Sequence, residues 1–180
     1  IYFDALDGED LMGDHSTGWH YGSKFVYEVH KRLKRPAIME MATFHHHLWA
    51  VRARMGAWDP PGRAYKAFID THCEFNASQA GMYLPMHLGW WQFKRWSGVQ
   101  TEPTYPDDIE YLLCKSLGNN IGFSLQGLRP GSVENDPLVA RLAPIVRQYE
   151  ELRHANYFND QVKAELRQPG ADFTLVEEAQ

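Results

Sequence analysis

The chain has few cysteines and no long apolar run among its 180 residues. Only Cys73 and Cys114 are present, both on segments predicted to be helical, and their spacing matches no metal-binding pattern. We therefore expect two buried thiols. No stretch approaches the roughly 18 consecutive apolar residues that a membrane-spanning helix requires, so the sequence predicts no membrane span.

Positive charge is also scarce, because 23 acidic residues outnumber 18 basic ones and the net charge is -5. Such a balance argues against nucleic acid as the main partner, and the short basic and aromatic segment 91–96 is too small to reverse that expectation. Phosphate-binding loops are missing as well. Neither GxGxxG nor GxxxxGK[ST] follows a predicted strand, which disfavours a nucleotide-binding doubly wound fold.

Aromatic residues, in contrast, are abundant. They make up 13% of the chain, with six Trp, nine Tyr and nine Phe, whereas the hydrophobic fraction of 44% is ordinary for a soluble globular domain. An excess of aromatic side chains suits either a large core or a site that stacks flat ligands, sugars included.

Short apolar strands alternate with amphipathic helices along most of the chain. The pattern predicts strands at 1–4, 37–43, 81–88 and 121–125. It predicts helices at 23–34, 63–76, 106–118 and from 137 towards Arg153, the last with a kink at Pro144. About four strand–helix units within residues 1–155 indicate a parallel α/β sheet and fit half of a TIM (β/α)8 barrel, with a flavodoxin-like open sheet as the alternative. Residues 156–180 are predicted to connect to a following β domain.

Alternation within the predicted strands separates apolar from polar side chains. In the fourth strand, for example, Ile121, Phe123 and Leu125 oppose Ser124 and Gln126. Barrel strands place one face on the helices and the other in the lumen, whereas an open sheet covered on both faces gives continuous apolar runs. We therefore expect a polar interior, formed by Tyr2, Asp4, Glu40, Tyr83, His87, Ser124 and Gln126. The alternative is a purely structural hydrogen-bond network.

Two acids, Asp4 and Glu40, are predicted to face this interior from neighbouring strands. Paired carboxylates suit glycosidic cleavage, in which one acts as the acid and the other as nucleophile or base. Glu40 lies well before the end of its predicted strand, so a role in holding a sugar hydroxyl stays open for it. Glu9, Asp10 and Asp59, on the loops above, compete for the role of the acid.

Aromatic and polar side chains near the strand ends are the candidates for substrate contact. An indole stacks well on the C–H face of a pyranose, and Trp90 and Trp91 directly follow the third predicted strand. The other candidates are Tyr2, Asp7, His45, His47, Tyr83, His87 and Gln126. For each Trp, the alternative role is simply to cover the top of the barrel.

The run His45-His46-His47 raises a metal site as an alternative, with His87 and Asp4 as further ligands. Consecutive residues of an extended segment point to opposite sides, so at most two of the three imidazoles can converge. Contact with substrate is therefore the preferred role of these histidines, and no metal or other cofactor is expected.

The opening Tyr2-Phe3-Asp4 at a strand end, the order of the units, and the exit through strand, kinked helix and strand resemble the carboxyl half of a glycoside hydrolase barrel. The likeness is to retaining α-glycosidases such as α-L-fucosidases and melibiase-like α-galactosidases, and it covers residues 1 to about 155 in architecture. It implies that Asp4 is the nucleophile and that DFTLVEEAQ, at 172–180, enters a β-sandwich. No segment matches the acid/base segment of these families, so the acid stays unassigned.

The sequence thus predicts a glycoside hydrolase that acts on an oligo- or polysaccharide by a retaining two-carboxylate mechanism. A metal-dependent hydrolase or isomerase on the same barrel and a non-catalytic barrel that binds glycans are the alternatives. The chain opens within a predicted strand and without Met. We therefore expect a longer protein whose amino-terminal portion completes the barrel, and a secreted or periplasmic location would suit polysaccharide degradation.

Overall fold

The computed structural model describes residues 14, 16–41, 48–56, 60–61, 64–98 and 102–176. The chain divides into two compact units, Ile1–Gly56 and Ala57–Gln180. Each unit contains helix and a pair of parallel strands, so the predicted α/β class is confirmed. Within the described residues the strands form two two-stranded sheets. The predicted first strand, at 1–4, lies outside the described residues.

The first unit contains helix α1 (Gly18–Arg32) and strands β1 (Glu40–Met41) and β2 (Arg54–Met55). The helix begins earlier than the predicted residue 23 because a hydrogen-bonded turn precedes it. The Asp14 carboxylate accepts hydrogen bonds from the hydroxyl and backbone N–H groups of Ser16 and Thr17. These bonds, the one from the Ser16 hydroxyl foremost, lower the pKa of Asp14 to about 2.

Strands β1 and β2 run parallel, with Glu40 opposite Arg54 and Met41 opposite Met55. The sequence pattern did not predict β2. It also placed the start of the second strand at residue 37, whereas residues 37–39 carry no strand structure. Residues 42 and 43 of the predicted strand lie outside the described part of the chain.

The second unit is larger. Its elements are α2 (Tyr65–Ser78), β3 (His87–Trp91), α3 (Pro106–Asn119), β4 (Gly122–Leu125), α4 (Ser132–Asn135), α5 (Pro137–His154) and α6 (Asp160–Leu166). Helix α3 is buried over 111–118 and packs against α2, α5 and α6. The two thiols lie buried on α2 and α3, as predicted.

The ends of the long helices follow from local chemistry. Pro106 opens α3 in the first-turn position that tolerates a missing N–H, and Asn120 ends it in the left-handed region at φ 51°. Asp136 caps α5 by accepting hydrogen bonds from the N–H groups of Leu138 and Val139. These starts agree with the sequence prediction, whereas α4 and α6 were not predicted.

The third predicted strand is displaced. Residues 81–86 form a turn, an isolated bridge between Ala80 and Tyr83, and irregular structure, so the ladder begins only at His87. Gly81 adopts φ 83°, and Pro85 has no N–H to donate, so this segment cannot join the sheet. Alternation within the predicted third strand would place Met82, Leu84, Met86 and Leu88 on the helices. This is wrong for Met82 and Leu84, which are 66% and 49% exposed, whereas Met86 and Leu88 are buried.

Candidate functional site

A polar face lies on the parallel pair β3–β4, with His87 at the amino end of β3 and the other members towards the carboxyl ends of the strands. His87 pairs with Gly122, and Trp90 pairs with Ser124. Three residues along β3 therefore correspond to two residues along β4. A register shift between His87 and Trp90 inserts one extra residue, and Gly89 adopts φ 89° there. We call His87, Trp90, Ser124 and Gln126 the polar face. Three of its members, all except Trp90, were predicted to share an interior by simple alternation.

His87 and Ser124 form the polar contact between the two strands. The His87 Nε2 lies 2.9 Å from the Ser124 Oγ, and the Gly89 N–H donates to His87 Nδ1 at 3.2 Å. Because Nδ1 accepts a hydrogen bond, the neutral ring carries its proton on Nε2 and donates it to the serine oxygen. The Ser124 hydroxyl hydrogen is thus directed to another acceptor, which suits ligand binding better than activation of a serine nucleophile.

Trp90 and Trp91 lie on opposite faces of β3. Trp90 is 37% exposed and stands beside Ser124 on the polar face. Trp91 pairs with Leu125, and its indole contacts the rings of Tyr65 and Phe68 edge-on at centroid distances of 6.4 and 6.3 Å. The two indoles, both predicted to contact substrate, therefore cannot stack on one ligand from the same side of the sheet.

Gln126 extends the polar face past the end of β4. Its N–H donates to the Trp91 carbonyl at 2.8 Å, and its side-chain amide donates to the Trp90 carbonyl at 3.3 Å. Tyr83 differs. It lies in the turn before β3, so the alternation that grouped it with His87 does not apply to it.

Glu40, a predicted catalytic acid in the first unit, is paired with an arginine. Arg54 Nε and Nη2 each lie 2.5 Å from the same oxygen, Glu40 Oε2. The other oxygen lies over Gly56, where an added Cβ would come within 2.8 Å of Oε1. Because Oε2 accepts both N–H groups of the guanidinium, this oxygen is occupied by the ion pair.

Six predicted site residues lie outside the described part of the chain. They are Tyr2, Asp4, Asp7, Glu9, His45 and His47. The nucleophile assigned to Asp4 by resemblance therefore stays a prediction, as does the histidine loop. Among the described residues, no group of three or more His, Cys, Asp or Glu side chains could hold a metal ion.

A second concave feature borders Trp91, and the sequence pattern did not reveal it. It is lined by Pro60, Pro61, Tyr65, Trp91, Pro103 and Ile109 and by the polar residues Gln92, Lys94, Glu102, Thr104 and Asp108. We call it the Trp91 groove. Trp91 was predicted from the sequence to contact substrate, whereas the other lining residues were not.

Asp108 fixes the position of Tyr65 at one end of the Trp91 groove. The Tyr65 hydroxyl donates to Asp108 Oδ1, while Asp108 Oδ2 accepts the Tyr105 N–H at 2.9 Å. Burial, together with this carboxylate, raises the pKa of Tyr65, so the hydroxyl stays protonated.

Comparisons of the chain with known proteins add no family assignment. Among the described residues, no helix combines the length and the apolar character needed to cross a membrane. Searches against protein-family models, curated proteins and solved structures found no match.

Proposed function

We propose that the chain belongs to a carbohydrate-active hydrolase, with about four βα units that form part of a (β/α)8 barrel. In such barrels the active site is built at the carboxyl ends of the strands. Trp90, Ser124 and Gln126 of the polar face lie towards the carboxyl ends of β3 and β4, which supports the proposal. This proposal also accounts for the separation of polar from apolar side chains along β4.

The observation that carries the proposal is the partly exposed Trp90 indole beside the Ser124 hydroxyl. An indole plane offers apolar contact to the C–H face of a pyranose, while a hydroxyl and the nearby amide of Gln126 can bind sugar hydroxyls. Few well-placed polar groups around an aromatic surface are typical of small-ligand sites.

In the proposed mechanism, Asp4 is the nucleophile and attacks the anomeric carbon, with departure of the aglycone oxygen. A second carboxyl group donates the proton to that oxygen and then takes one from the water that attacks the anomeric carbon and displaces Asp4. Glu9 is the preferred candidate for this acid, because the Glu40 Oε2 already accepts from Arg54. Glu40 is then assigned to hold a sugar hydroxyl.

The test is hydrolysis of a panel of aryl glycosides by the full-length protein and three variants. Asp4→Asn should lower kcat by about 10³-fold or more, because it removes the nucleophile. Trp90→Ala should instead lower kcat/KM by roughly tenfold through lost stacking, about 1.4 kcal/mol. Asp160→Asn makes the same chemical change on the exposed first turn of α6 and should leave both constants unchanged.

Two outcomes would contradict the proposal. If Asp4→Asn retains the wild-type rate, Asp4 is structural. If the wild-type protein binds glycans but cleaves none of the panel, the non-catalytic glycan-binding barrel becomes the better description.

A further inference from the structure

The walls of the Trp91 groove combine aromatic and apolar side chains with an excess of negative charge. Two aromatic rings, three prolines and an isoleucine line it, together with two acids and one base. The charged members are Glu102, Asp108 and Lys94. We propose that the groove binds a small organic cation that carries an alkylammonium group, of the kind found in choline. This site is separate from the polar face, and the inference is independent of the proposed hydrolase activity.

Two aromatic rings form adjacent walls of the groove. The rings of Tyr65 and Trp91 are nearly perpendicular, at 86°, and their centroids lie 6.4 Å apart. A cation is attracted to the face of an aromatic ring when it lies within about 6 Å of the ring centroid. One cation in the groove can therefore interact with both rings, and paired aromatic walls are how proteins commonly recognise quaternary ammonium groups.

Both rings are held in place and offer their faces rather than their polar atoms. The Trp91 Nε1–H donates to the Leu88 carbonyl at 2.8 Å, and the Tyr65 hydroxyl donates to Asp108. Phe68 contacts the same indole from α2 at a centroid distance of 6.3 Å. Because these walls are already fixed, a ligand that binds them costs little side-chain entropy. Since both donors are directed to protein acceptors, the rings suit a ligand that is recognised through ring faces.

The charge balance of the groove favours a monovalent cation. The Asp108 carboxylate accepts hydrogen bonds from the Tyr65 hydroxyl and the Tyr105 N–H, and because both donors are neutral, the carboxylate keeps its negative charge. Glu102 adds a second negative charge and Lys94 one positive charge, so two acids and one base leave an excess of one negative charge. A ligand with a single positive charge balances this excess, whereas an anion is repelled.

The apolar part of the lining suits the alkyl groups of such a cation. Pro60, Pro61, Pro103 and Ile109 offer carbon surface and no side-chain ligand for a metal ion. A hydrated inorganic cation would lose water against this surface without compensation, whereas an alkylammonium ion carries its charge beneath methyl or methylene groups. The enclosed space is also small, so it suits one head group rather than a chain of larger units.

The test is titration of the full-length protein with choline, followed by saturation-transfer difference NMR. The matched ligand is the uncharged carbon isostere of choline, in which a tert-butyl group replaces the trimethylammonium group, and it should bind more weakly. Glu102→Gln should weaken choline binding about fivefold, because an opposite charge is lost, and Lys94→Met should tighten it about fivefold, because a like charge is lost. Glu134→Gln, at an exposed acid of α4, is the control and should bind choline like wild type.

The opposite signs expected for Glu102→Gln and Lys94→Met identify a cation site, because a site for a neutral ligand would not respond in this way. The inference is overturned if choline does not bind, if its uncharged isostere binds as tightly, or if both charge variants bind choline like wild type.

Phosphatidylcholine vesicles distinguish a lipid head group from a free ligand. Co-sedimentation that Glu102→Gln weakens would assign the groove to a lipid head group, and choline binding without co-sedimentation would assign it to a free alkylammonium compound. Either result supports the inference. If choline binds as expected but the wild-type protein cleaves no glycoside, the inference stands and the hydrolase proposal fails.

Discussion

Lys115 is a buried lysine of α3 that binds backbone carbonyl groups of the second unit. Its side chain is 0% exposed, and its ammonium donates to the carbonyl oxygens of Leu166, Gln168 and Ala171. The Tyr111 ring lies 4.8 Å from the same nitrogen. Burial lowers the pKa of Lys115, yet these contacts stabilise the charged form. These hydrogen bonds hold the end of α6 and the segment after it against α3.

We expect Lys115→Met to lower the free energy of unfolding by roughly 3 kcal/mol, because three buried carbonyls lose their common donor. Urea unfolding followed by circular dichroism measures this difference. Lys66→Met is the control, since its ion pair with Asp172 is exposed and should contribute less than about 1 kcal/mol. Equal losses in the two variants would show that Lys115 has no special structural role.

At the scale of elements, the contact between α3 and α6 depends on a glycine. A Cβ on Gly118 would lie 2.9 Å from the Leu166 Cβ and 3.1 Å from the Lys163 carbonyl oxygen. Arg167 also reaches across this contact and donates to the Gly118 carbonyl at 2.9 Å. The two helices can approach this closely only because residue 118 has no side chain.

We expect Gly118→Ala to destabilise the protein by about 1–3 kcal/mol, because α6 must move away from α3. Gly22→Ala makes the same change inside α1, where an added Cβ would meet nothing within 4 Å. That control should be stabilising by roughly 0.5–1 kcal/mol, since alanine favours helix. Thermal unfolding of both variants measures the contrast, and a shift of the same sign in both would contradict the packing argument.

At the scale of the whole molecule, the two thiols predict a loss of stability at alkaline pH. Burial raises the pKa of Cys73 to about 12 and that of Cys114 to about 11, from an ordinary value of 9.0. Above about pH 9 the unfolded chain therefore releases protons that the folded chain keeps, and the free energy of unfolding falls. Each thiol should contribute a loss of roughly 1 kcal/mol between pH 9 and 10.

Urea unfolding at pH 8, 9 and 10 tests this prediction when wild type is compared with Cys73→Ala/Cys114→Ala. Lys115 contributes with the opposite sign, because its lowered pKa makes the folded state release its proton first. Lys115 is retained in both proteins, and because the two thiols also act on its pKa, the comparison reports the thiols together with their effect on Lys115. The alanine variant should lose less stability with pH than wild type, and parallel curves would refute the assignment to the thiols.

Local patterns in the sequence predicted much of the second unit. The periodicity of α3 and the Asp136-Pro137 start of α5 are properties of a few neighbouring residues, so they could be identified without any tertiary contact. The alternation in β4 likewise predicted which side chains share a face. The same reasoning failed at residues 81–86, where a glycine turn and Pro85 outweighed the alternating pattern.

The sequence by itself determined the α/β class, the main helices of the second unit, the two buried thiols and the shared face of His87 and Ser124. Only the tertiary structure decided that Trp90 and Trp91 lie on opposite faces of β3, next to a register shift. It also decided that Glu40 forms an ion pair with Arg54 and that Lys115 is buried beneath the segment after α6. The reason is physical. Helix periodicity acts over a few residues, whereas strand register, ion pairing and burial depend on partners 14 to 56 residues away along the chain.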